Sequence, residues 1–421
     1  MSVPLGAIVR AGLAEHCRRH PVTAAQARIL KNLARCGTGE LGYAEYVCAD
    51  CGRVEHVPRG CGNRHCPRCQ GRLARAWLER QKKDLLEVPY FHVVFTLPHA
   101  LLPLCVIAPR ELYALLFAAA AETLLRLGRE RLGGTLGLTA ILHTWGQLLN
   151  LHPHLHLIVT GGALDLGGRW HRVKSRWYLF PESVMSAIFR GKFLEGLTHL
   201  KDGGQVPPPP GGWPKLWRQL GAADRWVVYC KAPFAGPESV LGYLANYTHR
   251  VAISERRIES FDEKTGTVTF RYRDYRVKAD AHATGRVKGF AQTSGSSDAA
   301  IKHETVSVDQ FIGRFRQHFL PRSFTKIRHY GILANHARKK QIARAREAVA
   351  RRRRRARHTI PLVPAEPWHR RCPQCGGPHL VCVALIRPDG RVIELPGLRR
   401  MTLAAARAPP AAWGAAPLRA P

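Results

Sequence analysis

The sequence predicts an α+β chain, an antiparallel sheet with packed helices, preceded by a small cysteine-rich module. Three observations predict it. From about residue 91 to residue 160 the chain reads strand, helix, strand, strand, which suits an antiparallel sheet backed by helices. Within that run, Leu151-His152-Pro153-His154-Leu155-His156-Leu157-Ile158-Val159-Thr160 is leucine-rich and β-branched and is closed by Gly161 and Gly162, the mark of a buried strand. Upstream, Cys48-x-x-Cys51 and Cys66-x-x-Cys69 stand 14 residues apart. Paired thiolates at two tight turns with that spacing converge on one tetrahedral ion, so Cys48, Cys51, Cys66 and Cys69 are expected to bind structural Zn²⁺.

Taken in order, residues 1–35 have the apolar spacing of helices, with Pro21 and Thr23 where a helix start would want them. Cys36, Cys61 and His65 lie near the expected zinc ligands and are rivals to them. Residues 70–87 form a charged amphipathic helix. The strand Phe91–Leu97 opens the next domain, followed by a helix over 108–130 with Leu112, Leu116 and Leu124 on its inner face, and by strands at 138–145 and 154–160. A helix is expected over 181–201, then a Pro- and Gly-rich linker from Asp202 to Pro214. A strand at 226–230 leads to a helix from Glu238 to Tyr247, begun by Gly236-Pro237-Glu238. Short strands at 258–261 and 268–272, a loop over 279–300 and a helix over 308–319 follow. Cys372-x-x-Cys375, with Cys382 or His379, is a second candidate knuckle, and the last forty residues are Ala-, Pro- and Arg-rich and expected to be poorly ordered. The expected domains are 1–86 (helical and zinc-binding), 87–336 (catalytic) and 337–421 (basic tail).

The charge narrows the partner. Sixty-five Lys and Arg against 30 Asp and Glu give a formal net charge of +35 in 421 residues. Such a chain binds a polyanion, and nucleic acid fits best, because neutralised phosphates release counterions. Arg64 and Arg68, beside the cysteine pairs, are expected DNA contacts. No apolar run approaches 18 residues and no signal peptide opens the chain, which argues against a membrane role and for the cytoplasm, at the nucleoid. In that compartment the 12 cysteines read as ligands or thiols, not disulfides.

Side chains alternate along a strand, so His152, His154 and His156 share one face. Neutral imidazoles two residues apart on a rigid strand are ready metal ligands. Gln147 is the expected third ligand, with His143 and His152 as rivals. In Gly242-Tyr243-Leu244-Ala245-Asn246-Tyr247-Thr248-His249-Arg250, a helix puts Tyr243 and Tyr247 on one face. Tyrosine is a covalent nucleophile when its target is polarised, although spacing alone favours two rings packed into a core. Arg250 is placed to hold a phosphate beside them. No Walker motif is present and no acidic trio stands out.

His-Pro-His-Leu-His followed about ninety residues later by Tyr-x-x-x-Tyr-Thr-His-Arg resembles the two-tyrosine HUH transposases of the insertion sequence 91 family, bacterial rolling-circle enzymes. The resemblance includes Cys61–Gln70, Phe91–Pro98, His143–Gln147, Phe189–Phe193, Trp226–Tyr229, Arg250–Ser254 and Ile327–Asn335, in order over roughly residues 15–340. It implies an HUH-endonuclease-type antiparallel sheet, a Mg²⁺ or Mn²⁺ ion held by His154, His156 and Gln147, and Tyr243 and Tyr247 as nucleophiles. Single-stranded DNA at element ends, in hairpins or terminal sequences, would be cleaved through a 5′-phosphotyrosine and rejoined. Unwinding would fall to a host helicase. A relaxase or replication-initiator nickase shares this chemistry, and a zinc-dependent DNA-binding protein without catalysis would share only the cysteines and the charge.

Overall fold

The computed structural model describes residues 3–175, 177–222, 225–231, 240, 250–274, 300–353, 371–377 and 380–395. In chain order its elements are α1 (Leu5–Arg19), α2 (Ala24–Ala34), β1 (Tyr43–Cys48), β2 (Val54–Pro58), α3 (Pro67–Lys82), β3 (Tyr90–Thr96), α4 (Leu102–Ile107), α5 (Pro109–Leu132), β4 (Thr135–Trp145), β5 (Leu151–Leu164), β6 (Trp170–Arg172), α6 (Glu182–Asp202), α7 (Gly212–Gly221), β7 (Val228–Lys231), β8 (Ile258–Asp262), β9 (Thr267–Asp274), β10 (Ala300–Ser307), α8 (Val308–Arg316), β11 (Ile327–Gly331), α9 (Arg338–Arg353), β12 (Leu380–Ile386) and β13 (Val392–Glu394). The chain divides into two compact units, Met1–Ala27 with Arg64–His358 and Arg28–Asn63 with Thr359–Pro421.

The larger unit is organised on one antiparallel sheet in the order β11-β4-β5-β3-β7, with β6 paired to β5. Alternation along its strands turns one set of apolar side chains to one side: Phe91, Val93 and Phe95 of β3, Leu138 and Leu142 of β4, and Leu155 and Leu157 of β5 all enter one core. Helices α4 to α7 close that core. The longest, α5, is Ala- and Leu-rich, starts on Pro109 with Glu111 in its first turn, and ends with Arg129 and Arg131, the charge order that complements a helix dipole. Its Leu112, Leu116 and Phe117 are fully buried against the sheet, together with Phe189 and Phe193 of α6. Each such side chain contributes about 1.5–3 kcal/mol by burial.

The opposite face of the sheet is also covered. Tyr90, Ile141 and Ile158 pack with Ile342, Ala345 and Val349 of α9. Two residues away on each of those strands the same face presents His92, His143 and His156. One face therefore makes the main core, while the other passes from a small apolar core to a set of imidazoles. A second, three-stranded sheet in the order β10-β9-β8 leads directly into α8, whose start is fixed by the Ser307–Gln310 capping box. Helix α1 packs on α8 so closely at Gly12 that a Cβ there would stand 2.2 Å from Val308 Cγ1.

The smaller unit is a four-stranded antiparallel sheet, β13-β12-β1-β2. Strand β12 pairs along the whole of β1, from Tyr43 opposite Ile386 to Cys48 opposite Leu380.

Several expectations change. The chain does not divide at the expected boundaries, 1–86, 87–336 and 337–421. Residues 1–27 join the larger unit because α1 packs on α8, and the stretch after Asn63 joins it through Arg64, which donates to the Pro321 carbonyl at 2.6 Å, and through the Arg338–Asp84 ion pair at 2.7 Å. The C-terminal segment is not all irregular. It supplies β12 and β13, because Val381, Val383 and Leu385 alternate there within an otherwise polar and Ala-rich composition. Helices cover both faces of the main sheet instead of one. The expected tyrosine helix lies outside the described residues apart from Val240, as does the expected loop over 279–300 apart from Ala300. Among the described residues no helix is long and apolar enough to cross a membrane.

Candidate functional site

Antiparallel register builds the histidine site. Strands β4 and β5 set His143 directly opposite His154, and Ile141 opposite His156. His143, His154 and His156 each bring one ring nitrogen within 4.8 Å of the others'. The Nε2 atoms of His154 and His156 are 3.1 Å apart. Their other nitrogens are already engaged. His154 Nδ1 lies 2.7 Å from the His152 carbonyl, to which it can only donate, and so Nε2 carries the lone pair. His156 Nδ1 lies 2.9 Å from His92 Nε2. With His156 as the donor there, its Nε2 carries the lone pair as well. Such outer partners fix the ring orientation and tautomer of metal-binding histidines.

The electrostatics favour neutral rings. Burial pushes His154 down to about 4 and His92 down to about 3, and burial with three neighbouring imidazoles pushes His156 well below the ordinary histidine value. The positive charge of Arg250 acts in the same direction on both His154 and His156, so the guanidinium lies within electrostatic reach of the pair. A neutral imidazole is the ligand form, so no proton must be displaced near pH 7. His143 is 2 % exposed, and Trp145 stacks on its ring at 4.5 Å. Three imidazole nitrogens on one face of a rigid sheet fit a divalent ion with positions left open for further oxygen ligands.

The structure brings a third imidazole to the pair. It is His143, because cross-strand register and not sequence distance decides which side chain faces His154. Gln147 follows the end of β4, and its Oε1 accepts from the Arg273 backbone N–H at 3.4 Å. His152 contributes its carbonyl and is not part of the cluster. Tyr243 and Tyr247 lie outside the described residues. Arg64 is half-buried. It donates to the carbonyls of Phe324, Pro321 and Leu320 and so ties its segment to the chain after α8. Arg68, in the first turn of α3, is exposed.

The cysteine site in the smaller unit differs from the expected set. Cys48 and Cys51 meet Cys372 and Cys375, not Cys66 and Cys69, which belong to the larger unit. Cys48 Sγ lies 3.7 Å from Cys375 Sγ, and Cys51 Sγ lies 3.7 Å from Cys372 Sγ. Four sulfurs on one Zn²⁺ at about 2.3 Å stand about 3.8 Å apart, so the geometry fits the ion. The two knuckles are copies of each other. Each reads Cys-x-x-Cys-Gly. In each, the glycine N–H bonds to the first cysteine's carbonyl at 2.9 Å, and Gly52 and Gly376 take φ of 73° and 71°. Glycine adopts that left-handed conformation without penalty, which lets the chain turn under the sulfurs. Burial pushes the Cys48 thiol up to about 12, while the Cys375 backbone N–H pulls Cys372 down to about 7. Cys382 does not join; its Sγ lies against the Ala384 carbonyl. The repeated Cys-x-x-Cys-Gly was the sequence signal for this pairing. His92 also had a signal, since it sits on a strand with the same alternation as the histidine strand.

Comparison with known proteins bears on the same two regions. Residues 137–341 match a family model described as "Putative transposase", and residues 8–97 match one described as "Transposase zinc-binding domain". The chain is 40 % identical over 350 residues to the "Putative transposase y4qJ" of Sinorhizobium fredii, covering 80 % of this chain and 82 % of that one. It is 30 % identical over 322 residues to the "Transposase for insertion sequence element IS801" of Pseudomonas savastanoi pv. phaseolicola, covering 73 % of this chain and 70 % of that one. No solved structure matches it.

Proposed function

Because the chain belongs to the insertion sequence 91 family of transposases, with a zinc-binding domain and DNA as its substrate, we propose that it moves DNA by a rolling-circle route, cleaving and rejoining single strands at element ends. The observation that carries this reading is the convergence of His143, His154 and His156, with two Nε2 atoms 3.1 Å apart and their rings oriented from behind. These three side chains would hold the divalent ion. Imidazole donors favour Mn²⁺ over Mg²⁺. When bound, such an ion polarises a phosphodiester and stabilises the charge that develops on it.

The remaining work falls to the chain. His92 and the His152 carbonyl keep His156 and His154 in the ligand tautomer. Arg250, three residues after Tyr247, adds a positive charge near the imidazoles for the phosphate to meet. The hydroxyl of Tyr243 or Tyr247 loses its proton and attacks phosphorus. The new O–P bond replaces the bond to the 3′ oxygen, leaving a 5′-phosphotyrosine and a free 3′-hydroxyl. Because the phosphoester bond energy is kept in that linkage, a hydroxyl from another strand can reverse the step without an added energy source. The second tyrosine provides for a second cleavage while the first linkage persists. Unwinding is left to a host helicase.

The test uses labelled single-stranded oligonucleotides carrying the element's ends, with Mn²⁺ or with chelator. A metal-dependent covalent adduct mapped by mass spectrometry to Tyr243 or Tyr247 is the expected result. Binding without an adduct under any divalent ion would overturn the assignment.

A further inference from the structure

The larger unit holds a second set of metal-capable side chains that its transposase chemistry does not use. His16, near the end of α1, and His20, one turn later, stand on the same side of the chain. Asp309, in the first turn of α8, reaches between them. His16 Nδ1 lies 2.7 Å from Asp309 Oδ1, and His20 Nε2 lies 2.9 Å from Asp309 Oδ2. The two rings are 4.6 Å apart. One donor atom from each of the three residues lies within 4.8 Å of the others.

We propose that His16, His20 and Asp309 form a further metal site for a divalent transition ion, Zn²⁺ foremost, that fastens α1 to α8. Two imidazoles and a carboxylate are a common donor set for Zn²⁺, with the fourth position left to water. Around such an ion neighbouring donors stand about 3.3 Å apart, so the three groups need open by only about half an ångström. His16 is fully buried, His20 is 39 % exposed and Asp309 is 23 % exposed, so the site is anchored in the interior and reachable from solvent. Among the described residues His16 Nε2 is buried without a hydrogen-bond partner. Arg316 lies close enough to oppose positive charge at His16, but its guanidinium also donates to the Pro21 carbonyl at 2.5 Å. The ligands come from positions 293 and 289 residues apart, so the ion would join the start of the chain to the helix that follows the small sheet.

The test compares full-length protein with two variants, His20→Ala and Asp309→Asn, after equilibration with Zn²⁺ and gel filtration. His20→Ala leaves the His16–Asp309 contact in place and removes a partly exposed ring, so the fold survives it. The expected result is one zinc equivalent fewer per chain in both variants, with the Zn²⁺-dependent rise in thermal midpoint reduced. The same loss should appear in a background carrying His143→Ala and His154→Ala, which separates this site from the histidine cluster. Zinc content equal to wild type in both variants would overturn the proposal, whatever happens to stability, and would leave an Asp bridging two histidines by hydrogen bonds alone.

Discussion

The two metal-binding regions solve opposite problems. In the smaller unit four sulfurs arrive from two knuckles 321 and 327 residues apart, and together they fill a tetrahedron. A Zn²⁺ ion held there would have no position left for a substrate and would hold β1, β2 and β12 in one sheet. In the larger unit three imidazoles come from neighbouring strands of a sheet that its own core already holds together. That set is incomplete, and under the proposed function an ion held there would keep open positions for a phosphate. A closed site made of distant pieces is a fold device, and an open site on a preformed surface is a chemical one.

The contrast predicts what each substitution breaks. The largest effect is expected from Cys372→Ser. Structural Zn²⁺ contributes about 10–16 kcal/mol in small zinc domains, so its loss should unfold the smaller unit. Elemental analysis should show one zinc equivalent fewer, and limited proteolysis should cut within residues 28–63. Cys48→Ser should match it; a Cys372→Ser protein with full zinc content would break the pairing. Next, His156→Ala should lower strand cleavage on the order of a thousandfold while DNA binding, read by gel shift, stays unchanged. His143→Ala should follow it closely and Gln147→Ala should not, a comparison that decides the third ligand. A smaller effect is expected from His92→Phe, which removes the group behind His156 and should weaken metal affinity roughly 10–100-fold by calorimetry, with the fold intact.

The mildest expectation concerns pH. His92, His154 and His318 are held by burial at about 3, 4 and 4, against an ordinary 6.5. Between pH 6.5 and 4 the unfolded chain binds protons that the folded one does not, so stability is full above 6.5 and falls as the pH drops toward 4. The urea midpoint of the larger unit should therefore be lower at about pH 5 than at about pH 7.5. A midpoint that rises on acidification would contradict the neutral, buried state of these rings.

How much was legible in the sequence follows the same division. His154 and His156 were readable because strand alternation is local and two residues suffice to see it. His143 was only one of several rivals, since its position depends on the register between β4 and β5, which shifts between His143 and Trp145. Counting along the chain cannot supply that register. The grouping of the cysteines misled for the converse reason. Cys66-x-x-Cys69 is near Cys48-x-x-Cys51 in sequence and has a plausible spacing, whereas the pair that meets Cys48 and Cys51 is a matching Cys-x-x-Cys-Gly turn more than 320 residues on. Arg64 looked like a phosphate contact by composition, and only the carbonyls of Leu320, Pro321 and Phe324 reveal its structural use. The α+β class and the antiparallel strands were legible because long apolar helices and alternating strands carry their periods on their face.

One measurement tests the central claim most directly. Wild-type, His143→Ala and Gln147→Ala proteins are incubated with end-labelled single-stranded element DNA and Mn²⁺, and covalent protein–DNA adduct is counted on denaturing gels. Abundant adduct is expected for wild type and Gln147→Ala, almost none for His143→Ala, and none for any of them with chelator. Adduct formed equally by His143→Ala and wild type, or formed in chelator, would contradict a metal centre built from these three histidines.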